Sequence, residues 1–414
     1  MERAAAVSVK LKTDLSKDTS VEELKGLCFT AGGSVLETFR VRMQEFNPAT
    51  FIGRGKAEEI AAYVRQNAVD CVIFNEEISP AQQNNLEEII PCKIIDRTRL
   101  ILDIFAMRAK TKEGALQVEL AQLNYMLPRL NGKGINMMQQ KGGIGMRGPG
   151  ERKLEYDKRR VRQKITKLEK EIKTVQKERA VRRARRGGIP LPQIAIAGYT
   201  NAGKSTLLNA LTKEHSAYAD DKLFATLDPT TRRVKMSDGV TVLFTDTVGF
   251  IQKLPHSLVS AFRATLEETK FADVILHVID ASDEDIDTHC ATVHSVINSL
   301  EAGDVPLIEV FNKTDIIAPL KLAALKRRFE GAVFISAATG EGLKDLFERT
   351  EKIISRKWRF RTFNLPRSKM RLLPFIYART LVCSRRDEAD EILLKVMSTE
   401  GNFKAVCEKL ELPA

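Results

Sequence analysis

The chain has 414 residues, with 66 lysines and arginines against 54 aspartates and glutamates, and a formal net charge of +12. This length is enough for about two to four domains with ample core. The basic excess favours a polyanionic partner, with nucleic acid as the first candidate and weak association with an acidic membrane surface as the alternative. No apolar run approaches the ~20 residues that a membrane-spanning helix needs, so we expect no transmembrane segment.

The cysteines and the N-terminus indicate the compartment. The six cysteines are scattered without a C-x-x-C pair, which is typical of free thiols and not of a disulfide framework or a zinc site. The start of the chain, from Met1 to Ala4, lacks the apolar core of a signal peptide. The five histidines form no metal-binding pattern, and His289 and His294 are five residues apart. We therefore expect a cytoplasmic protein, and a monomer.

Residues 1–95 are predicted to form a small α/β domain. Alternating apolar residues indicate a strand over 35–41, and buried-type runs indicate strands over 70–74 and 93–95. A helix is predicted over 56–66, and another starts after Ser79, which is a favourable N-cap before proline. This alternation of strands and helices predicts a parallel sheet.

Residues 96–186 are predicted to form a long antiparallel helical hairpin. One continuous helix is expected from about residue 98 to 130 and another from 151 to 186. Both carry apolar residues at the 3.5-residue spacing of a coiled coil. The two predicted seams are Leu116, Leu120, Leu123, Leu127 and Leu130, and Val161, Ile165, Leu168, Ile172 and Val175.

The hairpin is the candidate nucleic-acid interface. Its glycine-rich connection, residues 131–150, is too long for a minimal turn and carries basic residues such as Arg147, so we favour an RNA-probing tip over a plain linker. The second helix has sixteen basic and six acidic residues, which favours phosphate contacts over a solvated face of mixed charge. Because residues 158–186 contain no aromatic side chain, a folded RNA fits better than a single strand. The predicted RNA-binding residues are Arg147, Arg179, Arg182, Arg183, Arg185 and Arg186.

A phosphate-binding loop begins the next domain, residues 187–356. An apolar strand leads into G-x-x-x-x-G-K-S, and a helix follows. Lys204 is expected to reach the β- and γ-phosphates, and the Ser205 hydroxyl is expected to bind Mg²⁺. The predicted binding residues here are Gly198, Tyr199, Thr200, Asn201, Ala202, Gly203, Lys204, Ser205 and Thr206.

Further motifs after predicted strands complete the site and select GTP. In the D-x-x-G motif, Asp246 could hold Mg²⁺ through a water and Gly249 could offer its N–H to the γ-phosphate. Because Lys204 and Gly249 would both contact the γ-phosphate, they are the predicted catalytic residues. N-K-x-D indicates guanine, because Asp315 accepts from its N1–H and amine; Asn312 should brace the loops, Lys313 should cover the base, and the Ala337 N–H should meet the guanine O6. These motifs comprise Asp246, Thr247, Val248, Gly249, Asn312, Lys313, Thr314, Asp315, Ser336, Ala337 and Ala338.

A mobile loop between these motifs should supply a second Mg²⁺ ligand. It includes Phe224, Ala225, Thr226, Leu227 and Asp228. Thr226 is the better candidate and Thr230 is the alternative. Phe250 stands where many GTPases place a water-positioning glutamine, so we expect slow intrinsic hydrolysis and activation by a partner. Arg232 or Arg233 could serve as an arginine in cis.

These motifs together resemble the HflX family of translational GTPases. The likeness is carried by G-Y-T-N-A-G-K-S-T, F-A-T-L-D-P-T-T-R, D-T-V-G-F, N-K-T-D, S-A-A-T-G and the upstream G-G-I-G-M-R-G-P-G-E, and extends from about residue 35 to 356. The resemblance implies binding to the large ribosomal subunit, with the hairpin tip near the peptidyl-transferase centre, splitting of stalled ribosomes, and Mg²⁺ on Ser205 and Thr226. Related P-loops use the asparagine at Asn201 to bind K⁺, although a turn-stabilising role fits equally well.

The fold expected overall is α/β. A doubly wound, mostly parallel P-loop GTPase domain follows the small α/β domain with its hairpin, and residues 357–414 form a small α/β C-terminal domain. Strands are predicted there over 375–383 and 391–397, and a helix over 402–410. The run from Trp358 to Arg361 could contact RNA or anchor a strand. A GTPase that assists tRNA modification and a GTP-dependent scaffold or regulator are the alternative functions.

Overall fold

The computed structural model describes residues 1–13, 20–130, 149–186, 191–212, 223–224, 226–236, 240–252 and 269–410. The side chains of 149–154 and 179–186 are outside this description, as are Arg147, most of the predicted tip and Ala225. Two compact units are present. The first contains residues up to 174 with 223–227 and Gln252, and the second contains 175–212, 228–251 and 269–410. The predicted domain boundaries stay proposals.

A four-stranded parallel sheet forms the centre of the first unit. Its order is β2-β1-β3-β4. The strands are β1 Glu2–Leu11, β2 Gly33–Met43, β3 Cys71–Phe74 and β4 Lys93–Asp96, and the helices are α1 Ser20–Thr30, α2 Arg54–Asn67 and α3 Pro80–Ile89. Ser79 is the N-cap of α3, as predicted, and the structure adds a reciprocal capping box with Gln82. Strand β1 was not predicted, because its fully buried centre is a run of alanines with weak strand preference.

The predicted helix from residue 98 to 130 is two helices. These are α4 Arg97–Arg108 and α5 Lys112–Arg129, and the second helix of the hairpin is α6 Pro149–Arg186. The continuous-helix prediction was therefore wrong: Thr111 caps a new helix, with its Oγ1 accepting from the Gly114 N–H at 3.0 Å. Helix α4 buries Leu100, Ile101, Leu102, Ile104 and Phe105, so it is a core helix of the first unit.

The predicted hairpin seam is confirmed only in part, on α6. Leu168 and Ile172 are buried, as the 3.5-residue spacing indicated, whereas Val161, Ile165 and Val175 are half-buried. Helix α5 instead buries Gly114, Gln117, Val118 and Ala121, and leaves the predicted leucines half-buried. The physical reason is that α5 also packs on α3 and α4, which turns a different face inward. An ion pair between Lys164 and Glu119 links the two helices of the hairpin.

The second unit contains the predicted doubly wound sheet. Its order is β10-β9-β8-β5-β7-β6, and every neighbouring pair is parallel except β6 with β7. The strands are β5 Gln193–Gly198, β6 Thr230–Lys235, β7 Thr241–Asp246, β8 Val274–Asp280, β9 Leu307–Asn312 and β10 Val333–Phe334. The helices are α7 Lys204–Thr212, α8 Ile286–Ser299, α9 Pro319–Arg328 and α10 Leu343–Lys357. Helices cover both faces, since Ile196 packs with α7 and α10 while Ala197 packs with α8.

A three-stranded antiparallel sheet ends the second unit. It contains β11 Trp358–Pro366, β12 Leu381–Asp387 and β13 Glu391–Thr399, with α11 Leu373–Arg379 and α12 Glu400–Leu410. The predicted strand over 375–383 was wrong in its first half, because Pro374 occupies the first turn of α11. Trp358 is buried in the core of the larger sheet, which supports the anchoring alternative. Within the described parts of the chain, no helix is both long and apolar enough to cross a membrane.

Candidate nucleotide-binding site

The phosphate loop between β5 and α7 packs closely against its neighbours. Glycine is required at one position in this loop and at one position that packs against it. Gly203 has a φ of +88°, and a Cβ there would clash with the amide of Asn312. A Cβ on Gly249 would lie 2.8 Å from Thr200 Cγ2 and 3.0 Å from Lys204 Nζ. The D-x-x-G glycine therefore lies directly against the loop and its lysine, as expected for groups that share one phosphate.

Lys204 is buried at the start of α7 and points back into the loop. Its Nζ donates to the Tyr199 carbonyl at 2.8 Å, and the residue is 7% exposed. Burial lowers the pKa of this amine to about 8, against the opposing effect of the Asp246 charge. A phosphate in the loop would supply the negative partner that this buried ammonium needs.

Ser205 and Asp246 form a pair of oxygen ligands beside the lysine. Ser205 Oγ donates to Asp246 Oδ2 at 2.7 Å, and Asp246 ends β7 with 1% exposure. The next residue holds this strand end in place, because Thr247 Oγ1 donates to the Ile196 carbonyl at 2.8 Å. Hydroxyl and carboxylate oxygens are the ligands that Mg²⁺ prefers, so the residues present fit this ion.

The two candidate threonines for the second Mg²⁺ position differ in their surroundings. Thr226 is half-buried and belongs to the first unit. Thr230 begins β6 and is the backbone partner of Asp246 in the antiparallel pair. Arg232 and Arg233 follow on the same strand, opposite Phe244 and Leu243.

Asn312 joins the phosphate loop to the loop after β10. Its Nδ2 donates to the Ala202 carbonyl at 2.9 Å, and its Oδ1 accepts from the Ala337 N–H at 2.9 Å. Asn312 therefore braces both loops, in the geometry that the sequence suggested. The predicted contact of the Ala337 N–H with the guanine O6 stays a prediction.

The remaining N-K-x-D residues lie at the same strand ends. Asp315 is exposed in a short 3₁₀ turn, Thr314–Ile316, where its carboxylate is available to a base. Lys313 adopts a φ of +64° and its Nζ pairs with Asp280 Oδ2 at 2.7 Å. Sequence reasoning missed Asp280, although the signal was present: it ends β8 opposite Asn312, so both belong to the ligand edge of the sheet.

Phe250 is an anchor for the phosphate loop. Its N–H donates to the Gly198 carbonyl at 3.1 Å, and its carbonyl accepts from the Thr200 N–H at 2.8 Å. The ring is 2% exposed and packs with Ala197, Ile275 and residues of α8. This side chain is therefore committed to the core and cannot position an attacking water.

Two segments that follow phosphate-site motifs in the sequence belong to the first unit and contact its helices. The Leu223 N–H donates to Thr30 Oγ1 at 3.2 Å, and the buried Phe224 ring meets Phe105 edge-on at 4.6 Å. In the other segment, the Gln252 carbonyl accepts from Arg97 Nη2 at 3.2 Å. Sequence spacing gave no signal for these contacts, because the partners are more than a hundred residues apart.

Arg97 is the centre of a buried polar cluster. Besides Gln252, it donates to Glu23 Oε2 at 2.7 Å and to Asn75 Oδ1 at 2.8 Å, and it is 2% exposed. Its neighbour Asp96 is fully buried and accepts from Tyr125 Oη at 2.8 Å and from Arg129 Nη2 at 2.9 Å, both on α5. Two consecutive residues thus connect the segment after D-x-x-G to the first helix of the hairpin.

Comparison with known proteins agrees with this architecture. Four family models match in order: GTP-binding GTPase N-terminal over residues 18–106, GTP-binding GTPase Middle Region over 108–186, 50S ribosome-binding GTPase over 193–313, and HflX C-terminal domain over 322–411.

Curated relatives are similar over most of their length. GTPase HflX of Caldanaerobacter subterraneus subsp. tengcongensis is 43% identical over 96% of this chain and 92% of its own. GTPase HflX of Escherichia coli K12 is 39% identical over 99% of this chain and 96% of its own. The protein of the same name in Flavobacterium psychrophilum is 48% identical over 73% of each. The chain therefore belongs to the HflX family of GTPases and is a GTP-hydrolysing enzyme.

Proposed function

We propose that this GTPase binds the large ribosomal subunit through its hairpin and splits stalled ribosomes under control of its nucleotide. The observation that carries the proposal is the contact from Arg97 to Gln252, three residues after Gly249. Gln252 follows the D-x-x-G motif along the chain and belongs to the same unit as most of the hairpin. The match of residues 193–313 to a family described as a 50S ribosome-binding GTPase supports the choice of partner.

The nucleotide site would work through charge and position. Lys204 and the Gly249 N–H would hold the γ-phosphate, Ser205 and Thr226 would hold Mg²⁺ with Asp246 behind it, and Asp315 would read guanine. Mg²⁺ would offset the developing phosphate charge when bound. Asn201 is exposed with a φ of +61°, which suits both a turn role and a K⁺ ligand.

The hairpin would provide the ribosomal RNA contacts. Helix α6 has 38 residues and therefore extends about 57 Å at 1.5 Å per residue. Its positive charge suits the phosphates of a folded RNA, and its contacts should weaken with salt through counterion release. Arg147 and the arginines at 179, 182, 183, 185 and 186 remain the proposed contacts.

Two functions stand as alternatives. A tRNA-modification GTPase of the kind we considered needs a reactive cysteine near its C-terminus. Here Cys407 is 2% exposed, and burial raises the pKa of its thiol, which makes it a poor nucleophile. A GTP-dependent scaffold would bind GTP without accelerated turnover by ribosomes.

Turnover with and without large subunits tests the proposed function. Since Phe250 cannot position water, the isolated protein should hydrolyse GTP slowly. Purified large subunits should raise kcat by at least about 10-fold, which is a lower bound because a group supplied in trans can contribute about 10³–10⁵-fold. Phosphate release under steady state measures both rates. Equal rates with and without subunits would favour the scaffold alternative.

Arg97→Lys is expected to weaken the link between nucleotide and hairpin. A lysine keeps the charge near Glu23 but lacks the planar fork that reaches Glu23, Asn75 and Gln252 together. Wild-type protein should bind large subunits more tightly with GTP than with GDP. We expect the ratio of these two affinities to fall at least about 3-fold in the variant, while the isolated protein keeps its basal turnover. Arg54→Lys, on an exposed pair with Glu58, is the matched control. An unchanged preference in Arg97→Lys would remove this link from the proposal.

A further inference from the structure

A second cluster of metal-ligand side chains lies at the sheet of the second unit and shares no residue with the pair of Ser205 and Asp246. It consists of His277 on β8, His294 on α8 and Glu309 on β9. One ligand atom from each residue lies within 4.8 Å of the other two. The sequence gave no such pattern, because the three residues come from three separate elements.

The topology of the sheet explains why they meet. His277 and Glu309 are direct partners in the parallel pair of β8 with β9, so their side chains leave the same face. Helix α8 covers that face, since its Val293 and Ile297 pack with Ile275, two residues before His277. His294 follows Val293, and its ring lies 5.2 Å from the His277 ring between centroids. The helix thus brings the third ligand over the strand pair.

The His277 ring is an anomaly for a core residue. It is 1% exposed, and its Nδ1 has no hydrogen-bond partner among the described residues. A buried nitrogen without a partner is costly, and native structures usually satisfy it.

We propose that His277, His294 and Glu309 bind a divalent transition cation of the zinc type at a site distinct from the nucleotide's Mg²⁺. Two imidazoles and one carboxylate are a common ligand set for Zn²⁺, with water in the fourth position. Bonds of about 2.0–2.1 Å imply ligand separations of about 3.4 Å, which modest closure of the cluster would reach. His294 is exposed and Glu309 is half-buried, so both can adjust and solvent can deliver the ion.

The site would also connect to the phosphate loop through the sheet. His277 is the backbone partner of Ala197 on β5, the residue before Gly198. A bound cation would tie β8, β9 and α8 together directly behind this loop. We therefore expect zinc to raise the melting temperature of the intact protein in a concentration-dependent way.

Zinc content of the full-length chain tests the proposal. The protein is equilibrated with Zn²⁺ in excess Mg²⁺ and GDP, which keeps the nucleotide site occupied, and bound zinc is measured after dialysis. We expect about one equivalent, and visible absorption of a four-coordinate complex when Co²⁺ replaces zinc. His294→Gln and Glu309→Gln should each weaken zinc binding at least about 100-fold, since even residues that only orient the ligands contribute about 10–100-fold.

The variants separate this site from other zinc-binding groups. Ser295→Gln is the matched control, because it places a glutamine at the next position of α8, which is also exposed. This variant should still bind about one equivalent of zinc. His294 is exposed, so its replacement should leave the fold intact, which the unchanged melting temperature of zinc-free protein would verify. Wild-type protein without bound zinc, or His294→Gln with wild-type affinity, would overturn the proposal.

Discussion

Lys204→Met should lower kcat/KM for GTP hydrolysis by about 100–1000-fold, the loss typical of removing one preorganised donor from a developing negative charge. The reason is geometric and electrostatic. The Lys204 ammonium lies beside Gly249 and is buried at the start of α7, so no water can take over its role at the phosphates. Methionine fills much of the same volume without the charge. Steady-state phosphate release measures the loss of turnover, and titration with nucleotide measures the loss of affinity.

Lys344→Met is the matched control for this variant. Lys344 begins α10 in the same unit, but its side chain is 86% exposed. The substitution should change kcat/KM less than about 2-fold, because the side chain is exposed and is not one of the predicted site residues. Lys204→Met with wild-type hydrolysis would show that the buried lysine does not contact the phosphates.

Phe250→Ala should destabilise the second unit by about 3–5 kcal/mol, as for other buried phenylalanines. The ring fills the space between β5, β8 and α8. The backbone of Phe250 also bonds to Gly198 and Thr200 at the start of the phosphate loop. Phe250→Gln should not create a fast GTPase, because the amide would be buried in the same apolar space or would break this packing. Urea unfolding of the sheet, followed by circular dichroism, measures the change in the free energy of unfolding.

Phe360→Ala is the control for packing in the same unit. Phe360 lies on β11 with 44% exposure, so its removal should cost less than about 1 kcal/mol. If Phe250→Ala were as stable as this control, the ring would not anchor the loop. If Phe250→Gln raised intrinsic turnover strongly, the position would act on water after all.

Local sequence signals predicted much of the fold and of the candidate site. Ser79 before Pro80 marked a helix start because both residues act within one turn. The phosphate loop was predictable because its glycines, Lys204 and Ser205 are neighbours in sequence. The brace by Asn312 followed from the order of strands in a doubly wound sheet, where strand ends share one edge.

Features that depend on packing between distant segments could not be predicted. The face of α5 that is buried depends on α3 and α4, and the 3.5-residue pattern of its leucines carries no information about them. The hydrogen bond from the Ala337 N–H to Asn312 was not predicted, because it is a tertiary contact. The same holds for Arg97 with Gln252 and for His277 with His294, where only the folded backbone brings the partners together.

The affinity of the 414-residue chain for purified large ribosomal subunits in three nucleotide states shows directly whether the nucleotide controls ribosome binding. Sedimentation is measured with a non-hydrolysable GTP analogue, with GDP and without nucleotide, at two salt concentrations. We expect binding to be at least about 5-fold tighter with the analogue, within the usual range of coupling between two sites, and the affinity to fall as salt rises. Equal affinity in all three states would contradict this expectation.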